Sequence, residues 1–432
     1  MMLLCTGGTV IEELEKVSGE KSLLEKELSD LKKKYKDRET ELQTLKLYLF
    51  LCLFPVQTTL GDRESEISCL KDTIHSGEME RRQLHNTIQE LKGNIRVFCR
   101  VRPLVDGGLS EHIQLPVGNK RIRLVRREKS HTGGPDTQKN FTFNFDRVFG
   151  PQASQHEVFE EISPLVQSAL DGYNVCVFAY GQTGSGKTFT MEGSGEDGEL
   201  SGIIPKAQEN IFNKAEKLGE QGWEFTFTAS FMEVYNETLR DLLFTGKKRP
   251  NHLIKRQADK VTITNLKYVK VSNKDQVLGL IKTANQNRAT AETSRNERSS
   301  RSHFVFQMEI QGVNVGRGIQ HNSTLCLVDL AGSERMEDLA GVDERIPEMT
   351  AINKSLSQLA TVINALAKKE KHIPYRDSIL TDLLQGCLCG NGKTLMIVNI
   401  APEPDSLVAT LNSLRFASRV NSCVIRPTTD NK

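Results

Sequence analysis

The sequence lacks a dominant charge: 57 Lys and Arg stand against 55 Asp and Glu, a formal net charge of +2 over 432 residues. No global field drives association with an anionic partner, so any such attraction has to come from a local cluster. Paired cysteines are also missing. Nine are scattered through the chain without CxxC spacing or His/Cys ligand patterns, which argues against a disulfide framework or zinc site and for reduced, cytosolic thiols. The start, Met1 to Cys5, has no basic segment and too short an apolar stretch for a signal peptide. Long hydrophobic runs are few. The one that stands out, Leu47 to Val56, is about half of the ~20 residues a spanning helix needs, so a soluble chain without membrane insertion is expected. Nothing points to nucleic acid. Aromatics are 6%, hydrophobic residues 38% and charged residues 26%, a composition that suits one large globular domain with an extended appendage.

What is present falls into two halves. From Leu14 to Leu45 apolar residues recur at spacings of three and four: Leu14, Val17, Leu24, Leu28, Leu31, Tyr35, Leu42 and Leu45. Lys21 and Arg38 occupy the two remaining seam positions. The residues between are mostly Glu, Lys, Asp and Ser, as the outward faces of a coiled coil require. This predicts a coiled coil over 10–46, after a disordered start at 1–9, and a homodimer through it. A second seam over 67–93 runs through Ile67, Leu70, Ile74, Leu84, Ile88 and Leu91 in a different phase, weakened by Gly77 and Arg81. Between the two, the apolar run with Pro55 and Gly61 predicts a break or hinge over 47–66.

After Gly93 short apolar strands alternate with amphipathic helices. Strands are expected over 95–101, 175–180, 225–235, 304–311, 324–330 and 394–400, and helices over 155–170, 205–218, 274–284, 350–367 and 406–420. This alternation predicts an α/β domain over 94–425, with a central sheet covered by helices on both faces. The tail, 426–432, is polar and expected to be disordered.

The chemistry starts at Gly181-Gln-Thr-Gly-Ser-Gly-Lys-Thr188, which follows the buried strand 175–180 directly. Glycines let backbone N–H groups converge on phosphate oxygens. Gln182, Thr183, Gly184, Ser185 and Gly186 form the cradle, Lys187 brings a point charge to the β- and γ-phosphates, and the Thr188 hydroxyl ligates Mg²⁺. A nucleoside triphosphate with Mg²⁺ is the expected ligand. Downstream, the strand Leu325 to Asp329 ends in an acid that holds Mg²⁺ through water. Gly332 is placed to offer its N–H to the γ-phosphate. The segment Asn296 to His303 packs hydroxyl and guanidinium groups, among them Ser299, Ser300 and Arg301, just before an apolar strand.

Together GQTGSGKT, NERSSRSH and DLAGSE, in this order and at these separations, resemble the kinesin motor domain, a phosphate-loop NTPase fold with a mixed central sheet. The likeness extends from Asn94 to about Ile425 through Arg100-Val-Arg-Pro103, Phe145 to Phe149, Phe231 to Glu237, His372 to Asp377 and Leu411 to Ala417. The resemblance implies a microtubule-stimulated ATPase using ATP and Mg²⁺. It implies that Arg100 and Pro103 flank the adenine, that Ser300 helps ligate Mg²⁺, and that Ser299 sits near the attacking water. It also implies an Arg301–Glu334 pair that closes the site around the γ-phosphate, a bistable latch. The coil lies N-terminal to the domain and joins it at Gly93-Asn94, which resembles the C-terminal-motor class. That likeness implies movement toward microtubule minus ends, cytoplasmic and cytoskeletal localisation, and spindle work.

An acidic track calls for a basic face. Lys354, Lys368, Lys369, Lys371 and Arg376 are the candidates, in the region where the family contacts tubulin. Four positions depart from the family pattern: Ile379 and Pro347 stand where basic residues are common, and Ala360 and Cys389 where glycine is. None touches the nucleotide. They keep a second reading open, a weakly motile or non-motile microtubule-bundling protein. A third, an unrelated phosphate-loop NTPase with a coiled-coil scaffold, would need the loops at Ser299 and Gly332 to match by accident.

Overall fold

The computed structural model describes residues 5–128, 137–195, 198–246, 250–257, 260–289, 298–334 and 346–422. The expected polar tail, Asn296 and Glu297, and the segment 335–345 lie outside them. The strands are β1 (Ile95–Val101), β2 (Ile113–Gln114), β3 (Arg121–Glu128), β4 (Thr137–Asn144), β5 (Arg147–Phe149), β6 (Val175–Tyr180), β7 (Glu224–Tyr235), β8 (Thr238–Asp241), β9 (Ile254–Gln257), β10 (Lys260–Ile263), β11 (Val269–Val271), β12 (His303–Asn314), β13 (Ile319–Asp329) and β14 (Lys393–Ile400). The helices are α1 (Cys5–Leu91), α2 (Gln155–Leu170), α3 (Lys187–Met191), α4 (Ile203–Gly219), α5 (Lys274–Ala289), α6 (Ile346–Ala367), α7 (Ile379–Leu388) and α8 (Leu407–Asn421).

The main sheet runs β11-β7-β12-β13-β6-β14-β1-β5, with β8 beside β7. It is mixed: β6 pairs in parallel with both β13 and β14, and β12 pairs antiparallel with β13 and β7. The period of two sorts its side chains onto two cores. Val175, Val177 and Ala179 of β6 face α2, α4 and α5, and Cys176, Phe178 and Tyr180 face α6, α7 and α8. All are buried, and each large apolar side chain fully removed from water contributes about 1.5–3 kcal/mol. Two small sheets, β2-β3-β4 and β9-β10, and helix α7 are additional to the elements expected from the sequence.

Two expectations for the N-terminal half are corrected. Helix α1 starts at Cys5, inside the stretch expected to be disordered, and it runs unbroken through Pro55 and Gly61 to Leu91. Proline removes one N–H and crowds the carbonyl four residues back, a local cost of about 3 kcal/mol. Cooperative propagation from long helical flanks carries the chain through. Thr58 and Thr59 donate back to the carbonyls of Phe54 and Pro55 at 2.6 and 2.8 Å. The change of phase then has a simple form. Continuing the first heptad puts Leu49, Cys52 and Val56 on the seam, and the second seam starts at Ile67, eleven residues after Val56. That is a four-residue stutter, which an unbroken helix absorbs by local unwinding.

The chain divides into two compact units, Met1–Gly77 and Glu78–Lys432. The last turns of α1 therefore belong to the globular unit. They pack on it through polar residues: Arg81 and Arg82 reach Asp171, the Arg82 guanidinium lies 4.0 Å from the Trp223 ring centroid, and Lys393 donates to Asn86 at 2.8 Å. Leu84, Ile88 and Leu91, the seam residues, stay 55%, 49% and 83% exposed on this segment. Gly93, at φ +97, makes the turn from helix into β1 that a side chain would strain.

Candidate functional site

The phosphate loop sits at the carboxyl end of β6, between β13 and β14, where ligands bind in open α/β sheets. Gly181 leaves the strand at φ +151, and a Cβ there would run into the Asn399 carbonyl. Gly186, also left-handed at φ +95, opens α3. Lys187 is buried and donates to the Gln182 carbonyl at 3.0 Å. Burial lowers its pKa, with Asp329 and Glu334 pulling the other way. The Ser185 hydroxyl is buried without a partner among the described residues.

Register brings the second acid into place. Asp329 pairs with Ala179 across β13 and β6, which sets its carboxylate beside the loop. Oδ2 accepts from the Thr188 hydroxyl at 2.5 Å. Oδ1 is buried and has no hydrogen-bond partner among the described residues. Burial raises the Asp329 pKa, opposed by Lys187 and the Thr188 hydrogen bond. A hydroxyl beside an orphaned buried carboxylate oxygen is a set of hard oxygen donors, which fits a small divalent cation.

Two further loops close on the first. The Gly332 N–H donates to the Ser300 carbonyl at 2.8 Å, and the Ser333 N–H to the Gly181 carbonyl at 3.1 Å. Ser299 lies in the short helix Arg298–Arg301. The expected Arg301–Glu334 pair is absent. Glu334 instead accepts from the Thr183 N–H at 3.0 Å and the Thr183 hydroxyl at 2.5 Å. Arg301 pairs with Glu348 of α6 at 2.9 Å, and Tyr235 donates to the same carboxylate. The reason is local competition: each partner has a nearer group of the right polarity. The Gly332 N–H, expected to face the γ-phosphate, is likewise occupied by Ser300.

A cleft of about 530 Å³ lies beside the loop and is lined by Arg102, Pro103, Ser185, Gly186 and Phe189. Arg100 also lines it, but not as expected. Its guanidinium is buried and donates to Gln155 at 2.7 Å and Thr190 at 3.0 Å, and burial lowers its pKa to about 10. Arg102, which the sequence reading passed over, stands at the cleft, half-buried and paired with Glu403. The alternation Arg-x-Arg was the available signal, since it offered two candidates.

His303 was also missed. Buried at the start of β12, it accepts the Ala331 N–H at Nδ1, 3.0 Å away, and its Nε2 lies 2.8 Å from the Ser355 hydroxyl of α6. Burial and the cations Arg288 and Lys187 lower its pKa to about 3, so it stays neutral. Ser355 in turn donates to Ile352. A hydrogen-bonded path thus joins the loop entering Gly332 to α6. On α6 and beyond it, Lys354, Lys368, Lys369, Lys371 and Arg376 are all exposed. Ile379 is half-buried against the core under α7, and its N–H donates to Glu237 at 3.0 Å. Pro347 is the second residue of α6, where proline is tolerated.

Phosphate loop, strand-end acid and two loops that meet over them define a nucleoside-triphosphate switch of the phosphate-loop class. The kinesin motor domain family matches residues 100–423, and the chain belongs to that family. Among relatives, it is 46% identical to mouse "Kinesin-like protein KIFC1" over 98% of this chain and 67% of that protein. It is 48% identical to "Carboxy-terminal kinesin 2" of Xenopus laevis over 95% of this chain and 65% of that protein. Among solved structures, the motor domain of Saccharomyces cerevisiae Kar3 matches with TM-score 0.63 and 43% identity, over 76% of this chain and all of that one. The C-terminal motor and motor homology domain of Kar3Vik1, fused to a synthetic coiled coil, matches with TM-score 0.77 and 39% identity, over 88% and 99%. These likenesses place the chain in the C-terminal-motor class. It spans about two thirds of the length of the first curated relatives.

Proposed function

We propose that this chain is a microtubule-stimulated ATPase motor directed toward minus ends, working as a dimer through its N-terminal coil and serving the spindle. The observation that carries the reading is the set of hydrogen bonds by which the loop 331–333 joins the phosphate loop to α6: the Ser333 N–H donates to Gly181, and the Ala331 N–H donates to His303, which meets Ser355 of α6. It links a phosphate sensor to the helix that carries Lys354 and leads to the exposed basic cluster. The name "Carboxy-terminal kinesin 2" supports a motor placed after the coil; the direction rests on the resemblance to the C-terminal-motor class, and composition supports neither.

The residues divide the work. Arg102, Pro103 and Phe189 hold the base in the cleft. The loop amides and Lys187 hold the β- and γ-phosphates. Thr188 and Ser300 would hold Mg²⁺ directly and Asp329 through water, and the cation would neutralise charge developing on the transferring phosphoryl group. Ser299 orients the attacking water. Catalysis is positioning and electrostatic stabilisation, with no covalent intermediate. Closing requires Arg301 to leave Glu348 and Glu334 to leave Thr183, so that the two meet across the γ-phosphate. Movement of Glu348 then passes to α6.

The exposed seam residues Leu84, Ile88 and Leu91 support dimerisation, because their polar neighbours already pack on the globular unit. Steady-state ATPase activity of the full chain with and without microtubules tests the proposal. Stimulation by at least tenfold at low salt is expected. Microtubule co-sedimentation with no stimulation would favour a bundling protein, the reading that Ile379 keeps open by replacing a charge with a packed apolar side chain.

A further inference from the structure

The last turn of α5 reaches both halves of the nucleotide site. Asn285 and Arg288 stand three residues apart and so share one face of the helix. Asn285 donates to the Glu192 carboxylate at 2.7 Å. Glu192 directly follows α3, which opens with Lys187 and Thr188. Arg288 is only 6% exposed, and one of its terminal nitrogens donates to the Ser302 carbonyl at 3.1 Å and to the Ser302 hydroxyl at 3.2 Å. Ser302 follows the short helix that carries Ser299, Ser300 and Arg301. Behind Arg288 the buried Glu233 of β7 balances its charge at 3.8 Å, and Arg240 reaches the same carboxylate at 3.4 Å.

We propose that Arg288 is a positioning residue for hydrolysis. Together with Asn285 it sets the spacing between α3 and the segment 298–302, and hence between the Thr188 and Ser300 hydroxyls. This role rests on the ATPase reading above and adds to it residues that touch neither nucleotide nor cation.

Packing alone does not account for a guanidinium here. Helix α5 is already docked through Val277, Leu280, Ile281 and Ala284, which lie in or against the core beside α2 and α4. Desolvating an arginine is costly, and an apolar side chain of similar volume fills a core at less cost. What Arg288 adds is direction. Two acceptors on one residue fix the backbone of Ser302 as well as its side chain. Two residues back, the Ser300 carbonyl is held by the Gly332 N–H at 2.8 Å. The stretch around Arg301 is thus tied at both ends, to α5 and to the loop 331–333. Closing requires the Arg301 side chain to exchange Glu348 for Glu334, and a fixed Ser302 gives that swing a pivot. The charge of Arg288 also helps keep the His303 ring neutral, so that Nδ1 remains an acceptor for Ala331. Misplacing a reacting group by about 1 Å can slow a reaction about a hundredfold, so such a clasp acts on turnover more than on binding.

Steady-state hydrolysis by the full chain at saturating ATP and microtubules, set beside fluorescent-nucleotide titration and thermal melting, tests this. Arg288→Lys keeps a positive charge beside Glu233 and loses the planar fork. Its kcat should fall at least about tenfold, with nucleotide affinity kept within about threefold and melting lowered by less than about 5 °C. Ser302→Ala withdraws only the hydroxyl acceptor and should lower kcat about threefold; added to Arg288→Lys it should do almost nothing further, because the contact is already gone. Asn285→Ala reads the other arm, with kcat expected to fall about fivefold at unchanged affinity. An unaltered kcat in Arg288→Lys overturns the inference and leaves the motor reading standing. So do effects of Arg288→Lys and Ser302→Ala that simply multiply. If kcat, affinity and melting temperature fall together, Arg288 serves the fold alone and the inference fails. An unchanged kcat in Asn285→Ala overturns the arm to α3. No hydrolysis by the unaltered protein would overturn the motor reading itself, and this role with it.

Discussion

Arg301 is held by Glu348 at 2.9 Å, while Glu334, its expected partner, caps the Thr183 N–H and hydroxyl. Each half of the latch thus has an occupied resting partner, and the two exchanges are coupled through one loop contact, Gly332 to Ser300. In the proposed switch two carboxylates, Glu348 and Glu334, compete for one guanidinium. Such a competition can be biased from either side.

Glu348→Gln biases it toward closure. Removing the charge that retains Arg301 lowers the cost of its transfer to Glu334. The two side chains are only 16% and 22% exposed, between a surface pair and a fully buried one, so at least about 1 kcal/mol is at stake. Basal ATPase activity without microtubules should rise about fivefold. A basal rate that is unchanged or lower in single-turnover and steady-state assays would contradict this.

Glu334→Ala removes the closing partner and leaves the cradle. Thr183 is exposed enough for water to replace the lost acceptor, so nucleotide affinity should stay within about threefold. Stimulated turnover should fall by two orders of magnitude or more, the scale of losing a transition-state contact. Fluorescent-nucleotide titration set beside microtubule-stimulated hydrolysis separates the two. If hydrolysis survives, the latch is misassigned.

The orphaned Oδ1 of Asp329 gives a metal prediction. Chelating divalent cations should weaken triphosphate binding at least tenfold in the unaltered protein. In Asp329→Asn, which keeps the shape but withdraws a charge from beside Lys187 and Thr188, that dependence should shrink. A titration with and without chelator in both proteins reads it. Equal dependence in the two would exclude Asp329 from the cation's surroundings.

Much of this site could be read from the chain because phosphate binding constrains contiguous residues. The loop Gly181–Thr188, its strand and the acid at Asp329 are local patterns, and the sheet delivered them to one place. The partners of Arg301 could not be read. Glu334 and Glu348 are both carboxylates at suitable separations, and only the packing of α6 against the short helix Arg298–Arg301 decides between them. Arg100 and Arg102 posed a similar ambiguity, resolved by Gln155 and Thr190 from distant elements. At Pro55 local propensity pointed to a break, and the cooperativity of an 87-residue helix overrode it. The apolar runs of β6, β12 and β14 were legible for the opposite reason: burial on both faces writes itself directly into the composition of a strand.

His303 supplies a pH signature. Its pKa is about 3 in the folded protein against an ordinary 6.5, so between these values the unfolded chain binds a proton that the folded one refuses. Stability contributed by the neutral ring is therefore complete above about pH 6.5 and is lost as pH falls toward 3. His303→Gln should flatten the dependence of denaturant stability on pH between 7 and 5. An unchanged slope would place the acid sensitivity elsewhere.

The basic cluster makes the last prediction, and it separates track binding from chemistry. Lys368, Lys369 and Lys371 are exposed and touch nothing in the nucleotide site. Changing all three to alanine should leave basal hydrolysis and nucleotide affinity unaltered. Microtubule affinity should fall by about tenfold at low salt, since each exposed charge contributes a few tenths to about 1 kcal/mol against an acidic surface. The difference from the unaltered protein should narrow as salt rises and the screening length shortens from about 10 Å toward 3 Å. Ile379→Lys should act in the opposite sense, but only if the ammonium can reach solvent past α7, because Ile379 now packs on the core. Co-sedimentation across a salt series, with thermal melting as a control for the Ile379 variant, decides both. Loss of affinity that does not vary with salt would mean that the lysines act through the fold rather than through charge.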